Sequence, residues 1–311
     1  MVADKKEYIC RDHSSLIFFH AMSYLARITQ ECPTAVVLLV DQSGSMSEPV
    51  RWNGRTATKA EAVAEAINAL LAELIARTRR DGGYQPYYDI AVLGYSGSEV
   101  RSLLPTAGGQ CFLQPEELAD NPVAMRDVQR VRRLPDGRQV ATVVRERVWV
   151  EPAAEWNTPM VAAFGEVYTW LKRWCAAHKG RPCYPPTVIH ITDGEATDGT
   201  AREVAAAAER LRSLGTVDGR VLLMNVHISA TEAEPVLFPA AAEELPEERY
   251  ARLLFEISSP MPDLYRDEIA WLTGRPSGAA VGAVRGMAYR ANMIDLVRMM
   301  NIGTATSDLL V

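Results

Sequence analysis

Four stretches of this chain are apolar almost without interruption: AVVLLV (Ala35–Val40), YDIAVLGYS (Tyr88–Ser96), TVIHIT (Thr187–Thr192) and RVLLMNVHI (Arg220–Ile228). Continuous rather than alternating apolarity predicts strands buried on both faces, as in a parallel sheet covered by helices. Between them the period changes. From Lys59 to Arg79 the apolar residues Ala60, Val63, Ala64, Ile67, Leu70, Leu71 and Leu74 form the stripe of a helix packed on a sheet. Val161–Ala177 and the Ala-rich Ala201–Leu214, ending near Gly215, read as two more helices. Strands alternating with helices predict βαβ units, and so a Rossmann-like, doubly wound, mostly parallel α/β sheet flanked by helices. Right-handed crossovers put the strand exits along one edge, outside which ligands of open α/β sheets bind.

Two regions break the alternation. Ser98–Asn157 contains RRLPDGRQVATVVRERVWVEP, where Pro135-Asp136-Gly137 is turn chemistry and period-2 patterning follows, so a β-hairpin is expected there. It reads as an insertion, at about 98–157, into a domain spanning 35–230 that follows an N-terminal segment, 1–34. The insertion is dense in arginine (Arg126, Arg130, Arg132, Arg133, Arg138, Arg145, Arg147). That density reads as a solvated hairpin face, with a surface for an anionic partner as the alternative. Residues 231–311 turn acidic and Pro-rich, then amphipathic (ERYARLLFEI), and end in the apolar NMIDLVRMM (Asn292–Met300). They are expected to form a helical extension packed on the domain, the methionines filling core rather than a binding groove.

Composition narrows the setting. The chain has 311 residues, 48% hydrophobic and 23% charged, ordinary for a globular protein. No segment approaches the roughly 20 apolar residues of a membrane helix, and LIFF near the start is too short for a signal h-region. A cytoplasmic protein is expected. The five cysteines, Cys10, Cys32, Cys111, Cys175 and Cys183, are odd in number and lack C-x-x-C spacing, which indicates neither a disulfide framework nor a zinc site. Cys175, His178 and Cys183 lie close in sequence but lack a fourth ligand, and read as buried thiols and a surface histidine. The net charge of −6 argues against a general nucleic-acid binder, whose affinity comes from neutralising phosphates.

The candidate chemistry lies at the strand exits. The first strand ends in DQSGS, with Asp41, Ser43 and Ser45 at alternate positions; WNTPM, with Thr158, precedes the second helix; ITDGEATDG, with Asp193 closing its strand, follows the third strand. Together they offer two carboxylates and three hydroxyls on one edge. An oxygen-only set suits a hard cation such as Mg²⁺, with Mn²⁺ or Ca²⁺ as alternatives, and leaves the ion incompletely neutralised and able to take a further carboxylate.

Asp41-x-Ser43-x-Ser45, followed by Thr158 in a TP loop and by Asp193-Gly194, resembles the metal-ion-dependent adhesion site of von Willebrand factor A domains, over roughly Ala35–Ile228. WNTPM and NMIDLVRMMNIGTAT are similar, more loosely, to intracellular bacterial members of the tellurite-resistance TerY type. The resemblance implies that Ser43, Ser45 and Thr158 contact a metal, with Asp41 and Asp193 binding directly or through water. It implies a non-enzymatic interaction module whose protein partner supplies an Asp or Glu to the metal, in stress-response or defence complexes that include kinase- or phosphatase-like partners. Asn157 stands where many members have Gly.

Other readings of these residues fit less well. An EF-hand loop needs acidic residues where Ser43 and Ser45 stand and a glutamate at Trp52. A phosphoryl-transfer site of D-x-D type would need an acid in place of Ser43. GYSGS (Gly94–Ser98) departs from G-x-S-x-G in its last residue. A metal-dependent phosphatase or hydrolase stays open as the alternative, with Glu195 and Asp198 as the nearest candidate bases, as does a regulatory subunit using the arginine hairpin. Asp41 and Asp193 could also merely cap loops through Asx turns. Asp198 reads as an N-cap for the helix after it, and His190 and His227 as core histidines.

Overall fold

The computed structural model describes residues 24–106, 109–133, 139–231, 233–275 and 284–304. Strand β1 (Thr34–Asp41) leads through a 3-10 turn (Gly44–Ser47) and a short hairpin, β2 (Pro49–Trp52) and β3 (Arg55–Thr58), into α1 (Lys59–Thr78). The pair β4 (Arg79–Arg80) and β5 (Gly83–Tyr84) precedes β6 (Tyr88–Ser96) and β7 (Glu99–Ser102). Then come α2 (Pro115–Asp120), the long strands β8 (Ala124–Arg133) and β9 (Gln139–Val148), α3 (Met160–Ala177), β10 (Thr187–Thr192), α4 (Ala201–Arg212) and β11 (Leu222–Ile228). The last part supplies β12 (Val236–Leu237), α5 (Arg249–Ile257), α6 (Arg266–Thr273), β13 (Met287–Ala291) and α7 (Met293–Thr304).

Seven strands form one sheet in the order β12-β13-β11-β10-β1-β6-β7. The five central strands are parallel and only the edges, β12 and β7, run antiparallel. β1 is buried along its whole length, and its apolar run serves two cores. Val36, Leu38 and Val40 pack with Ile67 and Leu71 of α1 and Leu296 and Met299 of α7. Val37 and Leu39 pack with Phe164 and Leu171 of α3, Val204 of α4 and Leu254 of α5. Helices therefore cover both faces, as the continuous apolarity predicts. Because β6 lies on one side of β1 and β10 on the other, the strand order reverses at β1. That opens a crevice beyond the carboxyl ends of β1 and β10.

Local signals agree with this layout. Thr58 caps α1, accepting from Glu61 N at 3.1 Å while Glu61 accepts from Thr58 N at 2.8 Å, and Thr200 and Glu203 repeat the box at α4. Several short elements were not anticipated, β2 to β5, α2 and α6 among them, nor were three strands of the main sheet. β7 is a polar four-residue edge strand. β12 and β13 lie in the segment expected to be purely helical and extend the main sheet beyond β11. β13 has five residues, carries Arg290 at φ +54° and leaves too short an apolar run to register as a strand. The Met-rich α7 does pack into the core.

The insertion forms the expected hairpin, paired from Ala124↔Val148 to Arg133↔Gln139; its Pro135–Gly137 tip lies outside the described residues. The arm projects, with Val143 66% exposed, but its base is anchored. Trp149 is buried and donates from Nε1 to Leu118 O at 2.7 Å. Asn68 on α1 accepts from Trp149 N and Val150 N at 2.8 and 3.0 Å and donates to Val150 O at 2.9 Å. Asn68→Ala leaves three backbone groups without these partners, and unmade buried hydrogen bonds cost about 1–3 kcal/mol each. Urea unfolding of that variant should show a loss of about 2–4 kcal/mol, against less than about 0.5 kcal/mol for a substitution at exposed Val143.

Candidate metal site

Asp41 ends the central strand, beside Tyr95 of β6 in the sheet register, and its side chain is sealed from solvent at 0% exposure. Ser43 N donates to Asp41 Oδ1 at 2.9 Å and the Thr192 hydroxyl to Oδ2 at 2.9 Å. The first bond is the Asx turn that the sequence allows; the second ties the end of β1 to the end of β10. Asp193, just past β10 rather than within it, makes no such turn. Its carboxylate accepts from Ser45 Oγ on Oδ1 at 2.6 Å and from Lys59 Nζ on Oδ2 at 2.9 Å. Ser45 thus donates to Asp193, so Ser43 Oγ, 3.2 Å from Ser45 Oγ, donates to Ser45. One hydrogen-bonded chain joins Asp41, Ser43, Ser45 and Asp193.

Thr158 arrives by a different route. The loop before α3 docks on the first loop through Glu155 N to Gln42 O at 2.7 Å and Gly44 N to Trp156 O at 3.0 Å. Thr158 N donates to Thr197 Oγ1 at 3.0 Å, and Thr197 N to Thr158 O at 2.9 Å. The Thr158 side chain is buried, and its backbone is fixed between the first and third loops. All five expected residues therefore reach one edge. Four are hydrogen-bonded to one another, and the fifth is held beside them by backbone.

The donor set fits a small hard cation. With metal–oxygen distances of about 2.1 Å, adjacent ligands of an octahedron lie about 3.0 Å apart, close to the 3.2 Å between the Ser43 and Ser45 oxygens. Among the described residues no group of three or more His, Cys, Asp or Glu side chains could hold a metal, so hydroxyls would have to complete the shell. Four residues were not anticipated from sequence: Thr192, Lys59, Thr197 and Trp156. Trp156 is 78% exposed, takes the left-handed φ of +62° and stands over Gly97 at the rim of the crevice. A bulky residue in that region is strained. Asp198 does not cap the helix after it. It accepts from Val161 N and Ala162 N at 3.1 and 2.9 Å and so caps α3, binding the third loop to the second.

Burial pushes the Asp41 carboxyl up to about 6, against the hydrogen bonds from Ser43 and Thr192. Burial also opposes the Lys59 ammonium, but Glu48 and Asp193 outweigh it and the Lys59 pKa is raised. His190 is core, as expected: burial lowers it to about 4, its Nε2 accepts from Tyr95 OH at 2.7 Å and its Nδ1 donates to Asn225 Oδ1 at 2.8 Å. His227 stacks on Tyr289 at 4.5 Å. His178 is not a plain surface residue but stacks on Trp174 at 4.1 Å. Cys32, Cys111, Cys175 and Cys183 are free, Cys183 buried and the others partly so, and Cys10 lies outside the described residues.

The raised Asp41 pKa has a defined sign. In metal-free protein the folded state binds the proton more tightly than the unfolded chain, so Asp41 destabilises increasingly as pH rises from about 4 to about 6. The shift from 3.8 to about 6 corresponds to about 3 kcal/mol, complete above the folded pKa. Urea melts in EDTA should show this contribution in wild type minus Asp41→Asn, emerging between pH 4 and 6. A flat difference across that range would show that Asp41 is not buried as a carboxylate.

No protein-family model matches this chain, and no curated protein does. Similar solved structures include a von Willebrand factor type A protein from Catenulispora acidiphila (17% identity, TM-score 0.42, 78% of this chain and 42% of that one). Others are the VWA domain of SpRpn10 (10%, 0.38, 81% and 97%) and the vWF domain of the type V pili tip protein Mfa5 from Porphyromonas gingivalis (9%, 0.41, 88% and 95%). The chain spans less than half the length of the Catenulispora acidiphila protein. With TM-scores below 0.5 these likenesses carry no weight for family membership, and the fold class rests on the strand order and register above.

Proposed function

We propose that this chain is a von Willebrand A-type interaction module that holds Mg²⁺ or Mn²⁺ on Ser43, Ser45 and Thr158, with Asp41 and Asp193 behind them, and binds a protein partner through an Asp or Glu of that partner. The observation that carries the reading is the continuous chain Asp41–Ser43–Ser45–Asp193 at the topological switch point, with both carboxylates sealed and Ser45 the exposed hydroxyl residue of the set. When bound, the metal would supply an electrophilic position for the incoming carboxylate. The protein's own groups would fix the ligands and surround the contact. Trp156, exposed at the rim, has the size and rigidity of an interface anchor.

A binding role fits better than hydrolysis because Asp198 and His190 are committed elsewhere and Glu195 is a solvated carboxylate. Asp198 is held by the N-terminus of α3, His190 is sealed within the sheet, and Glu195 is exposed. Among the described residues no helix is long and apolar enough to cross a membrane. Free cysteines support a reducing, cytoplasmic setting. The likeness of WNTPM and NMIDLVRMMNIGTAT to TerY-type proteins motivates a search for the partner among bacterial stress-response and defence complexes.

Three measurements test this. Calorimetry should detect about one Mn²⁺ per wild-type chain and none for Asp41→Ala, with both variants folded by circular dichroism. Pull-down with and without EDTA should identify a partner lost on chelation. Thr158→Ala and Asp193→Ala should then weaken that complex by about 2–5 kcal/mol, and Trp156→Ala by about 2 kcal/mol. A complex that persists in EDTA but is lost in Arg145→Ala and Arg147→Ala would move the binding face to the projecting arm. Phosphate- or acyl-ester turnover that disappears in Ser43→Ala would make the protein an enzyme.

A further inference from the structure

Lys59 sits where helix chemistry disfavours it. It is the first residue of α1, where the helix dipole favours an acidic side chain, and its side chain is only 4% exposed, although a buried ammonium is costly. Yet its position is doubly fixed. Lys59 N donates to Glu48 O at 2.9 Å. Its Nζ donates to Glu48 Oε2 at 2.7 Å and to Asp193 Oδ2 at 2.9 Å. These contacts close the base of the β2–β3 hairpin and fasten it to the exit of β10.

The consequence lies in what is left of Asp193. One oxygen is held by the ammonium. The other, Oδ1, accepts from Ser45 and faces the hydroxyls. A cation seated among Ser43, Ser45 and Asp193 can take only that oxygen while Lys59 stays in place. Mg²⁺ and Mn²⁺ suit six oxygens bound singly, whereas Ca²⁺ takes six to eight, commonly with a carboxylate gripping through both oxygens.

We infer that Lys59 is a specificity-determining positioning residue, which keeps Asp193 single-toothed and so selects small octahedral cations over Ca²⁺. The inference rests on the metal-binding reading above and adds the choice of ion. Glu48 serves as the internal control, since it holds the far side of the ammonium and is itself exposed.

The test is direct binding of Mn²⁺, Mg²⁺ and Ca²⁺ to the full chain by calorimetry, with Mn²⁺ also followed by electron paramagnetic resonance. Wild type should bind Mn²⁺ and Mg²⁺ more tightly than Ca²⁺. Lys59→Met keeps the side-chain length and removes the charge. It should shift the Ca²⁺-to-Mn²⁺ affinity ratio toward Ca²⁺ by at least about tenfold. Glu48→Gln should leave the ratio within about twofold of wild type. Should Lys59→Met not fold, Lys59→Gln, which can still donate to Asp193 without charge, should show a smaller shift in the same direction. A wild type that binds Ca²⁺ as tightly as Mn²⁺, or a ratio unchanged in a folded Lys59 variant, overturns the role of Lys59 while leaving the metal site standing. Absence of binding by any of the three ions to wild type defeats the metal reading itself, and the inference with it.

Discussion

A carboxylate held out of water at the end of the central strand is the constraint around which this edge of the molecule is arranged. Asp41 cannot be left bare there, because an uncompensated buried charge costs several kcal/mol. Its two oxygens are answered from different parts of the chain, by the backbone of its own loop and by a hydroxyl from β10. That second bond needs β1 and β10 to be neighbours, which the reversal of strand order at β1 provides. Sheet topology and site chemistry are therefore one requirement seen at two scales. The parallel pairing places the exits together, and the exits satisfy a charge that either alone would leave exposed to cost.

The second carboxylate completes the arrangement in another way. Asp193 is compensated by a hydroxyl on one side and an ammonium on the other. The ammonium also reaches Glu48 and so links the loop after β1, the β2–β3 hairpin and the start of α1. The loop before α3 joins through backbone bonds to Gln42 and Gly44, and Asp198 ties the loop after β10 to α3. Three loops hold one another, the first more than a hundred residues before the other two. Near Gly94 the fit is close enough that an added Cβ would fall 2.2 Å from the Gln42 side chain.

Much of this was legible in the sequence, for physical reasons. The runs that became β1, β6, β10 and β11 are short, apolar and rich in β-branched residues, which favours strands, and the stripe from Ala60 to Leu74 has one period. Asp41, Ser43, Ser45 and Asp193 could be grouped because strand exits of a parallel sheet share an edge. The misses follow the same logic. β7 and β12 are edge strands whose exposed side removes the apolar signal, and β13 is too short and too polar to show a period. Lys59 reads as an ordinary surface lysine until the fold brings Asp193, 134 residues away, against it. Asp198 carries the composition of a cap, but which helix it caps depends on tertiary packing. Thr192 looked like the last apolar-strand residue, and only the pairing of β10 with β1 gives its hydroxyl a task.

The bond between Thr192 and Asp41 spans 151 residues, and this separation has a consequence for the nascent chain. At about 5–20 residues per second of synthesis, roughly 8–30 s pass between the appearance of the two partners. Throughout that interval the Asp41 carboxylate has no β10 to shelter it, and β1 gains its first neighbour only when β6 has been made. The edge can close only once Thr192 has emerged, while the 119 residues that follow it, with β11, β13 and α7, are still to be made.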